Sequence, residues 1–252
     1  KFYIRKVKGK VVDKREILEI CITEYMKKHS SRPAYCEYLR TKKYAYEMIL
    51  KNFNGKNVLE LGSDGAATSA ILARWSENLD IVDMNDKISH LIEEDLYLKK
   101  AKFIKSLWQD FKPQNLYSDI LLTDSLEHIK DGVELLSIIK NWLSSDGFLH
   151  IVVPNALSLH RLIGVKMGFL NSPYNFNEND ISSGHEKVYD FDTLKSDILK
   201  SGLKLISMEG IQLKPLTDSQ LTAFKPEFKD ALSSLSTLLP RNSAEIYAVC
   251  GI

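Results

Sequence analysis

The chain has 252 residues, 44% of them hydrophobic and 27% charged, which is enough to bury a full core and excludes wholesale disorder. Lys and Arg total 34 against 33 Asp and Glu, a net of +1, and only seven of the basic residues are Arg, so neither a global field nor a supply of guanidinium forks marks a nucleic-acid or anionic-membrane binder. The opening KFYIRKVKGKVVDKREILEI lacks the apolar stretch of a signal peptide, no run is long enough to cross a bilayer, and Cys21, Cys36 and Cys250 lack CxxC spacing; the expectation is a cytoplasmic protein, no membrane partner, and reduced thiols.

Along the chain, apolar residues at Ile17, Leu18, Ile20, Cys21, Ile22 and Tyr25 predict a helix over Arg15–Lys28, broken at Arg32-Pro33. A second helix is expected from Ala34 to Asn52, ended by Asn54-Gly55. The pattern then switches to short apolar runs at Asn57–Leu61, Leu79–Val82, Lys102–Ile104, Asp119–Leu122 and Phe148–Val153, which read as buried strands. Helices are expected between them at Ala66–Trp75, Lys87–Leu98 and Gly132–Leu143, the last closed by Ser145-Asp146-Gly147. This alternation predicts an α/β doubly wound parallel sheet. From Asn155 to Asp190 the composition turns to Asn, Ser and Gly with interspersed aromatics, an insertion expected to be helical around Leu157–Met167. A helix at Phe191–Ser201 and strands at Leu203–Glu209 and Glu245–Cys250 complete the pattern, with a mostly helical excursion over Lys214–Pro240.

The stretch from Asn57 to Thr68 carries the most chemistry: a strand ending in Glu60, a turn Gly62-Ser63-Asp64-Gly65, and the start of a helix. The first turn of a doubly wound sheet brings backbone close to a ligand and therefore needs small residues. A dinucleotide site would carry GxGxxG and no acid, because a carboxylate in the turn repels a pyrophosphate. Acids here suit a ligand with a cationic group instead. An NAD-dependent oxidoreductase and a non-catalytic binding protein stay as alternatives.

Four stretches resemble the class I S-adenosylmethionine-dependent methyltransferases: VLELGSDGAAT from Val58, IVDMND from Ile81, FIKSLWQDF from Phe103 and DILLTDSLEHIKDG from Asp119. The resemblance implies a seven-stranded Rossmann-like sheet, S-adenosyl-L-methionine as cofactor and a small-molecule acceptor. It places Glu60, Gly62, Ser63 and Asp64 around the methionine part and Asp83 on the ribose hydroxyls, a carboxylate suiting two vicinal donors. It sets Met84 against the adenine, Leu107 and Trp108 on its other face, and Thr123, Asp124 and Ser125 below the sulfonium. Asp64 and Ala66 depart from the glycines common in the family, and Leu107 stands where many members have an acid.

The resemblance also divides the chain, read as one unit over 1–252, into an N-terminal helical lid (1–54), a cofactor-binding core (55–154), a substrate-side insertion (155–190) and a C-terminal part (191–252) with its excursion at 214–240. His128 and His185 are the candidate general bases beside Asp124, and Tyr38, His160, Tyr174 and Tyr189 the candidate acceptor contacts. His29 and His90 are expected at the surface and His150 as a satisfied core imidazole. In a helical turn Asp124, Glu127 and His128 would share a face that His185 could close into a cation site. The simpler reading has Glu127 and His128 bracing the sheet edge by hydrogen bonds, and no metal is assigned. Asn171-Ser172-Pro173-Tyr174 looks like the Asn-Pro-Pro-Tyr box of base-modifying methyltransferases, but it follows the fifth strand, so nucleic acid is not the expected substrate. GHEKVYD and PNALSLHRL resemble bacterial enzymes that methylate sugars, nucleotide-linked intermediates or other polysaccharide precursors. Oligomeric state leaves no mark in the sequence.

Overall fold

The computed structural model describes residues 5–7, 10–63, 66–85 and 95–252. Arg5–Val7 (β1) and Lys10–Val12 (β2) pair antiparallel, a small sheet that the sequence pattern does not announce. Lys14–Lys28 (α1) is capped by Asp13, whose carboxylate accepts from the Arg15 N–H, and buries Ile17, Leu18, Cys21 and Ile22 along one stripe. Pro33 sits in the first turn of Pro33–Ile49 (α2), where its missing N–H costs nothing. The end of the expected second helix is a separate 3-10 turn, Leu50–Asn52.

Seven strands form the main sheet: Asn57–Leu61 (β3), Asn78–Asp83 (β4), Lys102–Lys105 (β5), Tyr117–Thr123 (β6), Leu143–Pro154 (β7), Lys204–Ile211 (β8) and Glu245–Gly251 (β9), in the order β5-β4-β3-β6-β7-β9-β8. β9 runs antiparallel to both neighbours, so the sheet is mixed and not wholly parallel as the alternation suggests. Strand direction reverses there because β8 and β9 are adjacent and an antiparallel neighbour needs no crossover. Side chains alternate with period 2 into two cores. Val58, Ile81, Leu121, Val152, Tyr247 and Val249 pack with α1, α2 and Ala67–Trp75 (α3). Leu59, Val82, Ile120, Leu122, Ile151 and Ala248 pack with the helices Gly132–Lys140 and Phe191–Lys200. The α/β seven-stranded Rossmann-like fold expected from the sequence is the one observed.

Two boundaries differ from the expectation. The helix after β6 stops at Lys140, and Leu143 already belongs to β7, pairing with Tyr117 across a register shift. Ser145 to Gly147 is therefore an irregularity inside a long strand; a Cβ on Gly147 would sit 2.7 Å from the Tyr117 carbonyl oxygen, so the glycine permits close strand approach. The expected Lys87–Leu98 helix lies mostly outside the described residues, and Leu98–Lys100 is a 3-10 turn.

In the insertion, helices form at Leu159–Lys166 and Glu178–Ser183, the second opened by an Asn177–Asp180 capping box. The late excursion holds Asp218–Leu221 and Pro226–Leu235. All three cysteines are free, and His150 is buried between Tyr247 Oη (2.9 Å) and Asp119 Oδ1 (3.3 Å). His29 caps α1, half-buried against Tyr35, and His90 is outside the described residues. No helix among the described residues is long and apolar enough to cross a membrane.

Strand order reverses between β3 and β6, and such a switch point opens a crevice at the strands' carboxyl ends.

Candidate active site

That crevice is a cleft of about 600 Å³ lined by Gly62, Ser63, Asp83, Trp108, Thr123, Asp124 and Ser125 on the sheet, Tyr38 from α2, Glu245 from β9, and Glu127, His128 and His185 at its far end. Gly62 turns the chain at φ +85°, and its N–H donates to the Val82 carbonyl at 3.0 Å. A Cβ there would lie 2.7 Å from Ser125 Oγ and 3.1 Å from the Trp108 ring, so only glycine fits. Ser125 Oγ donates to the Leu61 carbonyl at 2.7 Å, tying the tip of β6 to that of β3.

Ser63 joins the next pair of tips: its N–H and hydroxyl both donate to Asp83 Oδ2, at 2.8 and 2.7 Å, while the Asn85 N–H donates to Oδ1 at 2.8 Å. Trp108 opens a 3-10 turn after β5 and donates from Nε1 to the Val82 carbonyl at 3.2 Å. Met84 and Leu107, 49% and 45% exposed, follow β4 and β5 but are not among the residues lining the cleft.

Glu60 is elsewhere. By the pleat it shares a face with Val58, and its buried carboxylate accepts from the Thr68 and Ser69 hydroxyls at the start of α3. It is not among the residues lining the cleft, so any effect on a ligand runs through the helix start. Asp64 lies outside the described residues.

Asp124 adopts φ +50°, and its Oδ2 meets the Lys42 ammonium and the Tyr38 hydroxyl, the latter at 3.2 Å. Lys42 is wholly buried and also reaches Glu245 Oε1 at 2.9 Å. Burial by itself would lower the Lys42 pKa, but the two carboxylates outweigh it and push it up, so the ammonium stays charged. Burial raises Glu245, partly offset by Lys42. Sequence reasoning missed both Lys42 and Glu245; the signal in reach was Lys42 one turn beyond Tyr38.

The far end of the cleft also differs from the expected helical face. Leu126–His128 is a 3-10 turn, and Asp124 is drawn off by Lys42. The Glu127 carboxylate braces nothing, since both its oxygens are buried without a hydrogen-bond partner. Bracing comes from its backbone: the Glu127 carbonyl accepts from the N–H groups of Glu186 and Lys187 at 2.8 and 3.0 Å, which brings the insertion to the sheet. Burial, then the Asp124 charge, raises the Glu127 pKa well above the usual carboxylate range. His128 and His185 meet edge to face with ring centroids 4.9 Å apart.

Three residues expected to contact an acceptor lie outside this cleft. His160 is pinned beside Lys214, its N–H donating to that residue's carbonyl at 3.0 Å. Tyr174 donates to Asp190 at 2.6 Å on the insertion's outer side. Tyr189 is fully buried and donates to Asp197 at 3.2 Å. Aromatic content in the insertion marks packing for Tyr189, whose hydroxyl lies against Gly132.

Residues 33–208 match the methyltransferase-domain family. The chain belongs to that family, and its fold is the one that class I S-adenosylmethionine-dependent methyltransferases share. An (S)-coclaurine N-methyltransferase from Thalictrum flavum subsp. glaucum is 26% identical over 132 residues, covering 50% of this methyltransferase and 36% of that enzyme, so the match spans only about a third of the relative's length. Among solved structures, a SAM-dependent methyltransferase from Archaeoglobus fulgidus superposes with a TM-score of 0.57 at 17% identity, covering 85% of this methyltransferase and 93% of that chain. The N-methyltransferase NodS from Bradyrhizobium japonicum WM9, in complex with S-adenosyl-L-homocysteine, superposes at 0.55 with 12% identity over 94% and 97% of the two chains. These likenesses establish the shared fold.

Proposed function

We propose that this chain transfers the methyl group of S-adenosylmethionine to an oxygen or nitrogen of a small polar molecule. The observation that supports the reading is that Gly62, Ser63 and Asp83 line the same cleft as Glu127, His128 and His185, so that one side would take the cofactor and the other the acceptor. The sulfonium already activates the methyl group, so the protein has mainly to align nucleophile, carbon and sulfur in a water-poor space.

In this reading Asp83 takes the ribose hydroxyls, Met84, Leu107 and Trp108 enclose the adenine, and Thr123, Asp124 and Ser125 lie under the methionine part. The Asp124 Oδ1, buried without a partner, is left to face the cofactor's positive charge. Tyr38 on α2 and His185 on the insertion close the cleft from two sides, which gives the N-terminal helices and the insertion their proposed role as a lid.

His128, His185 and Glu127 manage the acceptor's proton. A hydroxyl-rich sugar suits this polar end. In a nucleotide-linked intermediate the sugar would enter while the pyrophosphate stayed outside, because the Asp83 and Asp124 carboxylates line the cleft and repel it. The same argument disfavours a nucleic-acid substrate. A polysaccharide-precursor role in the cytoplasm is the corresponding biological proposal.

Calorimetry with S-adenosylmethionine and NADH, followed by S-adenosylhomocysteine release across sugar and amine acceptors, tests the proposal. The expected result is cofactor affinity in the micromolar range, about −8 kcal/mol, and no NADH binding. Binding of NADH in place of S-adenosylmethionine would remove the reading.

A further inference from the structure

One donor atom from each of Glu127, His128 and His185 lies within 4.8 Å of the other two. Each imidazole is held so that a lone pair is left over. His128 Nδ1 is 3.2 Å from the Gly184 carbonyl, which only accepts, so Nδ1 carries the proton and Nε2 the lone pair. His185 Nδ1 is 3.1 Å from Asp180 Oδ1, and that carboxylate is fixed through its other oxygen by Arg161 at 2.8 Å. Nε2 of His185 is therefore also bare.

The third member, Glu127, is 2% exposed and presents two carboxylate oxygens with no hydrogen-bond partner, an expensive arrangement unless something positive comes to them. A histidine with Nδ1 on a carboxylate or carbonyl and Nε2 free is the oriented form in which imidazole ligates metals.

We propose that Glu127, His128 and His185 bind a divalent first-row transition cation at the acceptor end of the cleft. Two imidazole nitrogens and one carboxylate suit manganese, iron, cobalt or zinc, whereas calcium and magnesium favour oxygen ligands. Three protein ligands leave coordination positions open toward the cleft that these residues line. With the cation bound, the two imidazole lone pairs are taken, so an acceptor hydroxyl entering one of these positions gives its proton to solvent in place of a histidine. Its oxygen lone pair then forms the bond to the methyl carbon as the carbon–sulfur bond breaks, and that pair leaves on sulfur as neutral S-adenosylhomocysteine. This consequence rests on the methyl-transfer reading, but the cation site does not.

The test is titration of the chelator-treated full chain with Co²⁺ alone, without cofactor, following its d–d absorption. One equivalent should bind with a Kd below about 10 µM. His128→Ala, His185→Ala and Glu127→Gln should each weaken binding at least tenfold with an unchanged circular dichroism spectrum, and Asp180→Asn should weaken it roughly 10- to 100-fold through the freed His185 ring. Should Glu127→Gln misfold, the half-buried His185 provides the deciding variant. No stoichiometric binding at 1 mM Co²⁺, or affinity unmoved by the histidine substitutions, overturns the proposal. Either result leaves the methyl-transfer assay to be read on its own.

Discussion

Ser63 gives both of its donors, the backbone N–H and the hydroxyl, to a single oxygen of Asp83. With the Asn85 N–H on the other oxygen, three of the four lone-pair positions of that carboxylate are filled. Two ribose hydroxyls thus require the Ser63 hydroxyl to yield, while the backbone contacts can remain. Asp83→Ala should cost about 100-fold in S-adenosylmethionine affinity, the worth of two charge-assisted hydrogen bonds, and Ser63→Ala no more than about threefold. Calorimetry decides, and equal losses in the two variants would contradict the lone-pair argument.

Lys42 ties α2 to the ends of β6 and β9 through Asp124 and Glu245. Lys42→Met leaves two buried carboxylates without their cation and should destabilise the fold by about 3–5 kcal/mol. Adding Glu245→Gln should recover part of that loss. Urea unfolding of the single and double variants measures both, and a double variant weaker than the single one is the outcome against it.

A methyl group at position 62 meets both a left-handed backbone and the Ser125 hydroxyl. Gly62→Ala should therefore lower stability by about 1–3 kcal/mol and displace the Trp108 ring from the cleft edge. Urea midpoints and the Trp fluorescence maximum report the two effects separately. Wild-type values for both would show that the turn relaxes freely.

His160 gives a pH signature away from the cleft. Burial, helped by Lys214, holds its pKa at about 4 against 6.5 for an unconstrained imidazole. Between those values the unfolded chain binds the proton and the folded chain does not, so stability is full above pH 6.5 and falls as pH drops toward 4. The loss attributable to this residue approaches about 3 kcal/mol. His160→Gln should flatten the urea midpoint across pH 7 to 4.5; parallel curves for the two proteins would assign the acid sensitivity to other groups.

Most strands and helices were legible because burial imposes a period on sequence: Val58, Leu59 and Leu61 read as a strand buried on both faces, and Ile17, Leu18, Cys21 and Ile22 as one helical stripe. The helix end after β6 was misread because a glycine inside an irregular strand looks like a turn. The capping box at Asn177 and Asp180 opens a short helix, and its second role, orienting His185, needed coordinates.

Local pattern alone determined the alternation of strand and helix and the glycine turn, since each depends on backbone geometry within a few residues. Tertiary structure decided which side chains meet across long stretches of chain. Lys42 finds Glu245 203 residues away, and His185 reaches Glu127 because two backbone N–H groups dock the insertion on one carbonyl. Such meetings follow from how loops satisfy their polar groups when helices and sheet pack, a constraint that no periodicity carries.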